Sequence, residues 1–133
     1  MITAYIDFKS LDCFLAISPI LELADDFETP VSWKPYRSTE RALPTQVANE
    51  SITQTHHRVR AESERRLQQH YARLRGLDID PSRGQIDTSA ALGWLANLEG
   101  DTSSFVSRLF TAHWIKHTDI NDPTFLQELT TQC

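Results

Sequence analysis

The first 36 residues predict a strand, a helix and a second strand, whereas no later segment has the pattern of a strand. Ile2 to Phe8 alternates apolar and other side chains, which is typical of a buried strand. Cys13 to Asp25 has apolar residues at helical spacing around Pro19, and Pro30 to Tyr36 is again rich in strand-forming residues. This order indicates a βαβ unit with parallel strands. Because two parallel strands alone each keep an unpaired edge, we expect further strands from a second copy or from a missing part of a larger fold.

The rest of the chain predicts helices, and residues typical of helix starts and stops indicate where they begin and end. Gly76 and Gly100 are natural helix stops, because the residue after a helix often adopts a left-handed conformation. Asp122 followed by Pro123 is typical of a helix start. The helices are expected over Ser51 to Arg75, from Asp87 or Thr88 to about Glu99, from Thr102 or Ser103 to His117, and after Asp122, with a connector over Arg37 to Glu50 and a loop over Leu77 to Gln85.

These elements predict an α/β fold in two parts. A βαβ part occupies residues 1–37, a linker residues 38–50, and a helical subdomain residues 51–133. The helix over Ser51 to Arg75 carries six arginines with Glu62 and Glu64 among them, which favours a solvated, ion-paired face over a nucleic-acid face.

Composition limits the class of protein. The chain has 133 residues, enough for one domain. Thirteen Lys and Arg against eighteen Asp and Glu give a formal net charge of −5, which argues against a nucleic-acid partner. No apolar run is long enough for a membrane span, and the start lacks the features of a signal peptide. Cys13 and Cys133 make no disulfide framework, so we expect a cytoplasmic chain with reduced thiols and no membrane partner.

The candidate chemistry lies at the junction between the first strand and the first helix, over Ser10 to Cys13. Free backbone N–H groups and the positive end of the helix dipole converge at such a junction. A cysteine there is placed to form a thiolate, and a serine there is placed to bind one.

Four segments resemble the DsbA-like thioredoxin-fold proteins, and within them the branch of 2-hydroxychromene-2-carboxylate isomerases and kappa-class glutathione transferases. Asp7 to Pro19 is similar to the family's first helix and Val31 to Tyr36 to its second strand. His57 to Leu77 and Phe105 to Asp122 are similar to the first and last helices of its helical insert. The resemblance implies a thioredoxin-like N-terminal βαβ part with a mostly helical insert. The later cis-proline loop, strands and helix have no counterpart here, so we expect the chain to match the first two-thirds of a family member.

The resemblance also implies a function and a set of site residues. Redox members carry Cys-x-x-Cys at this junction, whereas this chain has Ser10 and Cys13, which excludes a dithiol–disulfide cycle through that pair. In the isomerase and transferase branch a serine at the first position stabilises the thiolate of bound glutathione. Ser10 is therefore the candidate catalytic and glutathione-binding residue, Cys13 the second catalytic candidate, and Arg60 a candidate contact for glutathione. The implied reaction is isomerisation or transfer on a small electrophile.

Simpler interpretations stand beside these. Ser10 is equally suited to be a plain helix N-cap, and Cys13 a small buried apolar residue. His113 and His117 lie four residues apart on one helix, but without an evident third ligand we expect a structural role and no metal. Two further functions remain open: a non-catalytic binding or assembly module that forms a homodimer through an exposed strand edge, and mixed-disulfide chemistry through Cys13 alone.

Overall fold

A computed structural model describes residues 1–39 and 43–132. In these residues the chain forms one sheet of two parallel strands, β1 over Ile2–Ile6 and β2 over Val31–Pro35. Ile2 pairs with Val31, and the register continues to the pair of Ile6 and Pro35. The predicted α/β class and the parallel pairing are therefore confirmed. Strand β1 ends two residues earlier than the sequence pattern predicts, because the chain turns at Phe8 and Lys9.

Helix α1 spans Leu11–Asp26 and continues through Pro19. Proline has no N–H to donate, so the carbonyl oxygen of Leu15, four residues earlier, loses its usual helical partner. The guanidinium of Arg75 donates a hydrogen bond to that oxygen instead. The proline thus opens an acceptor that the end of the next helix uses to dock against α1.

Four further α-helices follow in the described residues: α2 over Ile52–Leu74, α3 over Ser89–Asn97, α4 over Ser103–Trp114 and α5 over Pro123–Gln132. The prediction of a plain loop over Leu77 to Gln85 was incomplete, since Pro81–Gly84 forms a short 3₁₀ helix. Helix α4 ends before the predicted His117, which adopts a left-handed backbone with φ of 54°. No helix in the described residues is both long and apolar enough to cross a membrane. Cys133 and part of the predicted connector, residues 40–42, lie outside the described residues.

Helix α4 forms the centre of the hydrophobic core and packs against the βαβ part. The rings of Phe8 and Phe110 lie 4.9 Å apart between centroids. The indole N–H of Trp33 on β2 donates to the hydroxyl of Ser103 at 2.9 Å. The most deeply buried core side chains come from both the start and the end of the chain: Phe8, Phe105, Val106, Leu109, Phe110, Trp114, Ile120 and Leu126.

Helix α2 is the exception to this burial. Of its 23 described residues, only Ala72 is buried. Its N-terminus is well formed, because Ser51 and Gln54 bond to each other's backbone N–H in a capping box. Its other apolar side chains are exposed, at 48 to 80 % of their surface: Ile52, Val59, Leu67, Tyr71 and Leu74. The helix therefore lies on the body with a narrow small-residue contact and turns its apolar residues toward solvent.

Candidate functional site

Ser10 is the N-cap of α1, as the sequence predicts. Its hydroxyl oxygen accepts a hydrogen bond from the backbone N–H of Cys13 at 3.3 Å, and its own N–H donates to the carbonyl oxygen of Asp7 at 3.1 Å. The residue is 8 % exposed. Cys13 lies in the first turn of α1, half-buried against the hydrophobic core. A hydroxyl that accepts one hydrogen bond still has its own hydrogen to donate, so the capping bond leaves Ser10 a donor.

A buried carboxylate holds this junction in place. The side chain of Asp7 is fully buried and accepts hydrogen bonds from the Thr88 hydroxyl at 2.5 Å and from the Ser38 backbone N–H at 2.8 Å. It also accepts from the Ser38 hydroxyl at 3.2 Å and from the Lys9 backbone N–H at 3.4 Å, and the Lys9 ammonium lies 3.8 Å away. One carboxylate thus joins the loop before α1 to the segment after β2 and to the start of α3.

Sequence patterns did not indicate that Asp7 is buried. Asp7 falls between the apolar positions Ile6 and Phe8 of the predicted strand, so it would be expected on the solvent face. For Thr88 the sequence indicates only a position at the start of a helix. Its hydroxyl makes no capping bond, and the carboxylate of Asp87 takes that role by accepting from the Ser89 N–H at 2.9 Å. Hydrogen bonds from the Ser89 hydroxyl and from the Ser89 backbone N–H hold the pKa of the Asp87 carboxyl below its ordinary value.

Two residues distant in sequence contact the turn at Phe8 and Lys9. The indole N–H of Trp114 on α4 donates to the Phe8 carbonyl oxygen at 3.0 Å, and both groups are buried. Gly84 in the 3₁₀ helix lies so close that an added Cβ would stand 3.0 Å from the Lys9 carbonyl oxygen. A Cβ at this position would fit only if the turn or the 3₁₀ helix moved by a few tenths of an ångström.

A cleft of about 490 Å³ opens between the first turn of α1 and the middle of α2. This volume is typical of small-molecule sites. The described lining includes charged and polar side chains from both helices, over a floor of Gly84 and Trp114: Lys9, Asp12, His57, Arg60, Glu64, Arg65 and Gln68.

The cleft mixes charges of both signs. The Gln68 amide donates to the Asp12 carboxylate at 2.9 Å and bridges the two helices. Arg60 forms an ion pair with Glu64, with N–O distance 3.3 Å, one turn further along α2. Lys9, Arg60 and Arg65 bring three cations to the lining against the two carboxylates of Asp12 and Glu64, so the cleft is suited to an anionic ligand.

The fold brings one of the three predicted site residues into this cleft. Arg60 lines it beside Lys9, Leu11 and Asp12, although it lies far from them in sequence. Neither Ser10 nor Cys13 is included among the described lining residues, even though the neighbours of Ser10 on both sides are. Ser10, the N-cap of α1, is therefore flanked in the chain by two lining residues but is not itself part of the described lining.

His113 and His117, which the sequence predicts on one helix, do not share it: His113 lies in α4, and His117 follows the end of that helix. The ring Nε2 of His113 lies 2.8 Å from the Arg83 carbonyl oxygen, while the Arg83 guanidinium donates back to the His113 carbonyl oxygen at 2.9 Å. Burial lowers the pKa of His113 below its ordinary value. In the part of the chain that the structure describes, no three metal-ligating side chains converge.

Comparison with known proteins adds no relative: neither a protein family model, nor a curated sequence, nor a solved structure matches this chain.

Proposed function

We propose that the chain binds glutathione in the cleft between α1 and α2, and that it uses the bound thiol in isomerisation or transfer on a small electrophile. The observation that carries this proposal is the cleft itself. It places the N-terminal turn of α1, where the family resemblance puts the thiolate site, opposite Arg60. Glutathione has two carboxylates, for which Lys9, Arg60 and Arg65 are candidate partners.

In this proposal Ser10 acts through its remaining hydroxyl hydrogen. The sulfur is held as a thiolate by that donor and by the positive end of the α1 dipole. The thiolate then forms a bond to an electrophilic carbon. In an isomerisation the same bond breaks after the substrate has rearranged, which regenerates glutathione. In a transfer the carbon–sulfur bond stays, and either a leaving group departs from the carbon with its bonding electron pair or the electron pair of the attacked double bond is protonated by water. Cys13, one turn along the helix, is the second candidate group near that sulfur.

The thioredoxin-like identity of the βαβ part belongs to the same proposal. It is supported by the parallel pairing of β1 and β2 around α1 and by the Ser-x-x-Cys spacing at the helix start. Chemistry on a reduced thiol also fits the expected cytoplasmic location, where glutathione is kept reduced.

Calorimetry with two ligands tests the role of Ser10. S-methylglutathione carries a methyl group on its sulfur, so it keeps both carboxylates of glutathione but cannot present a thiolate. The variant Ser10→Asp keeps a good N-cap, but it removes the hydroxyl donor and adds a negative charge beside the sulfur. We expect this variant to weaken the affinity for glutathione about tenfold or more, which corresponds to the loss of one hydrogen bond to a charged group. The affinity for S-methylglutathione should be nearly unchanged.

Arginine variants test the cleft. Arg60→Gln should weaken both ligands, because it removes a cation that faces a carboxylate. Arg73→Gln, which makes the same charge change near the end of α2 and outside the described lining, should weaken neither. If no folded form of the protein binds glutathione, or if Ser10→Asp weakens both ligands equally, the thiolate site is refuted.

A second candidate function is assembly without catalysis, through the edge of the sheet. In the described residues β1 pairs on one side with β2, and Tyr5 at the middle of β1 is 67 % exposed. An open strand edge is a template for pairing with another chain. Tyr5→Pro removes one edge N–H, so it should abolish any dimer of this kind in a measurement of mass in solution.

A further inference from the structure

Four of the five exposed apolar residues of α2 form a stripe on one face of the helix, in which His56, Ser63 and His70 alternate with them. Ile52, Val59, Leu67 and Leu74 follow one another at intervals of seven, eight and seven residues. Two turns of an α-helix take about seven residues, so all four lie on one face along the whole helix. That face lies opposite Ala72, the buried residue of α2. A long apolar stripe turned away from the core is typical of an interaction surface.

The stripe has an internal symmetry about Ser63, the middle residue of the helix. Ile52 and Leu74 lie equally far from Ser63 along the chain, as do Val59 and Leu67. The same holds for polar pairs of identical type: His56 and His70, Arg60 and Arg66, and Glu62 and Glu64. A helix with this pattern presents the same chemistry when it is read in either direction.

Such a pattern is what a two-fold axis requires. In an isologous interface, if residue i contacts residue j of the partner, then j contacts i of the partner. When two copies of α2 lie antiparallel with the axis at Ser63, Ile52 faces the second copy's Leu74 and Val59 faces its Leu67. The small Ser63 side chains meet at the centre and let the helices approach closely.

The charges beside the stripe are complementary in the same arrangement. Glu62 and Arg66 lie on one flank of the stripe, and Arg60 and Glu64 lie on the other. In an antiparallel two-fold pair, each flank of one helix lies beside the same flank of the second copy. Glu62 then lies beside Arg66 of the second copy, and Arg60 lies beside its Glu64. In one chain these four residues form ion pairs within the helix, with N–O distances of 3.3 and 3.8 Å, and the second copy adds a further partner to each.

We propose that two copies of this chain form an antiparallel dimer through the outer face of α2, with the two-fold axis at Ser63. The occupant of the stripe is a second copy, because the apolar pairs and the charge pairs are both satisfied by one placement of this same helix. The interface uses residues of α2 and none of β1, and it needs no ligand.

Light scattering during size-exclusion chromatography tests this dimer. The protein is expected at twice the 15.2 kDa of one chain at micromolar concentrations. Leu67→Lys places a charge in the stripe at both symmetry-related positions, so we expect it to weaken the dimer about a hundredfold or more. Phe27→Lys makes the same exchange at an apolar residue that is 73 % exposed but lies outside α2, and it should leave the dimer intact. Because both positions are exposed, circular dichroism should show unchanged helix content.

A rescue variant tests the direction of the helices. The double variant Val59→Glu with Leu67→Lys places opposite charges against each other twice in the antiparallel pair, and it should restore the dimer that Leu67→Lys loses. In a parallel pair each residue faces its own copy, so the double variant would place like charges together. A monomeric wild-type protein, a dimer insensitive to Leu67→Lys, a double variant that fails to recover, or a dimer that Tyr5→Pro dissolves would each overturn the proposal.

Discussion

Replacing Asp7 by alanine tests whether its buried carboxylate holds the start of α1 to the rest of the fold. Asp7 is fully buried and accepts four hydrogen bonds, two of them no longer than 2.8 Å. The alanine variant removes the acceptor of the hydroxyl of Thr88, a residue that is 2 % exposed, and it removes one acceptor of the partly buried Ser38 backbone N–H. Each buried donor without a partner costs about 1–3 kcal/mol.

These losses set the expected magnitude. The buried Thr88 hydroxyl without its acceptor, the lost hydrogen bonds from Ser38 and the lost charge contact with Lys9 sum to about 3–5 kcal/mol, the range seen when one partner of a buried ionic network is removed. The free energy of unfolding of a domain is about 5–15 kcal/mol, so the variant should still fold but with low stability. In urea, where stability falls by about 1–3 kcal/mol per molar, the unfolding midpoint should drop by roughly 2 M.

Urea unfolding followed by tryptophan fluorescence measures this shift, with two further variants. Asp7→Asn keeps an acceptor for Thr88 but turns an N–H donor toward the Ser38 N–H, so its midpoint should lie between those of wild type and Asp7→Ala. Asp87→Ala removes an exposed aspartate that caps α3 by accepting from a backbone N–H and a hydroxyl, so it should cost about 1 kcal/mol and lower the midpoint by about 0.5 M, well short of the shift for Asp7→Ala. If Asp7→Ala and Asp87→Ala have equal midpoints, the inference that burial makes Asp7 important is wrong.

Three further predictions concern single residues. Gly84→Ala should cost about 1–3 kcal/mol in urea unfolding, because its Cβ would lie 3.0 Å from the Lys9 carbonyl oxygen; an unchanged midpoint would show that the turn moves freely. Burial lowers the pKa of His113, so the unfolded state binds more protons and stability should fall as the pH drops below about 6.5; His113→Gln should flatten that dependence, and identical pH profiles would contradict it. Ser51→Ala should cost about 1 kcal/mol through its lost bond to Gln54, visible as a lower melting temperature, whereas Ser51→Asp should not.

Local patterns determined the order and type of the elements. Alternating apolar residues located β1, helical spacing located α1 and α4, and Asp122 with Pro123 marked the start of α5. The parallel pairing followed from the helix between the strands, because a strand that returns after a crossover runs in the same direction. Ser10 was identified as the N-cap because capping depends on the few residues around the helix start.

Long-range contacts decided the rest of the candidate site. Asp7 is buried because Ser38 and Thr88, far from it in sequence, supply its donors, and no local pattern records such partners. Gly84 matters only because the 3₁₀ helix packs on the turn before α1.

The tertiary structure also decided the direction in which α2 faces. Its sequence contains both a small-residue contact at Ala72 and an apolar stripe from Ile52 to Leu74, and either could have covered the core. Hydrogen bonds from Gln68 and Arg75 to α1 orient the helix so that Arg60 enters the cleft while the stripe stays outside. Periodicity identifies a helix face, but only the packing of the whole chain determines whether that face is buried, because burial depends on which other surfaces are there to meet it.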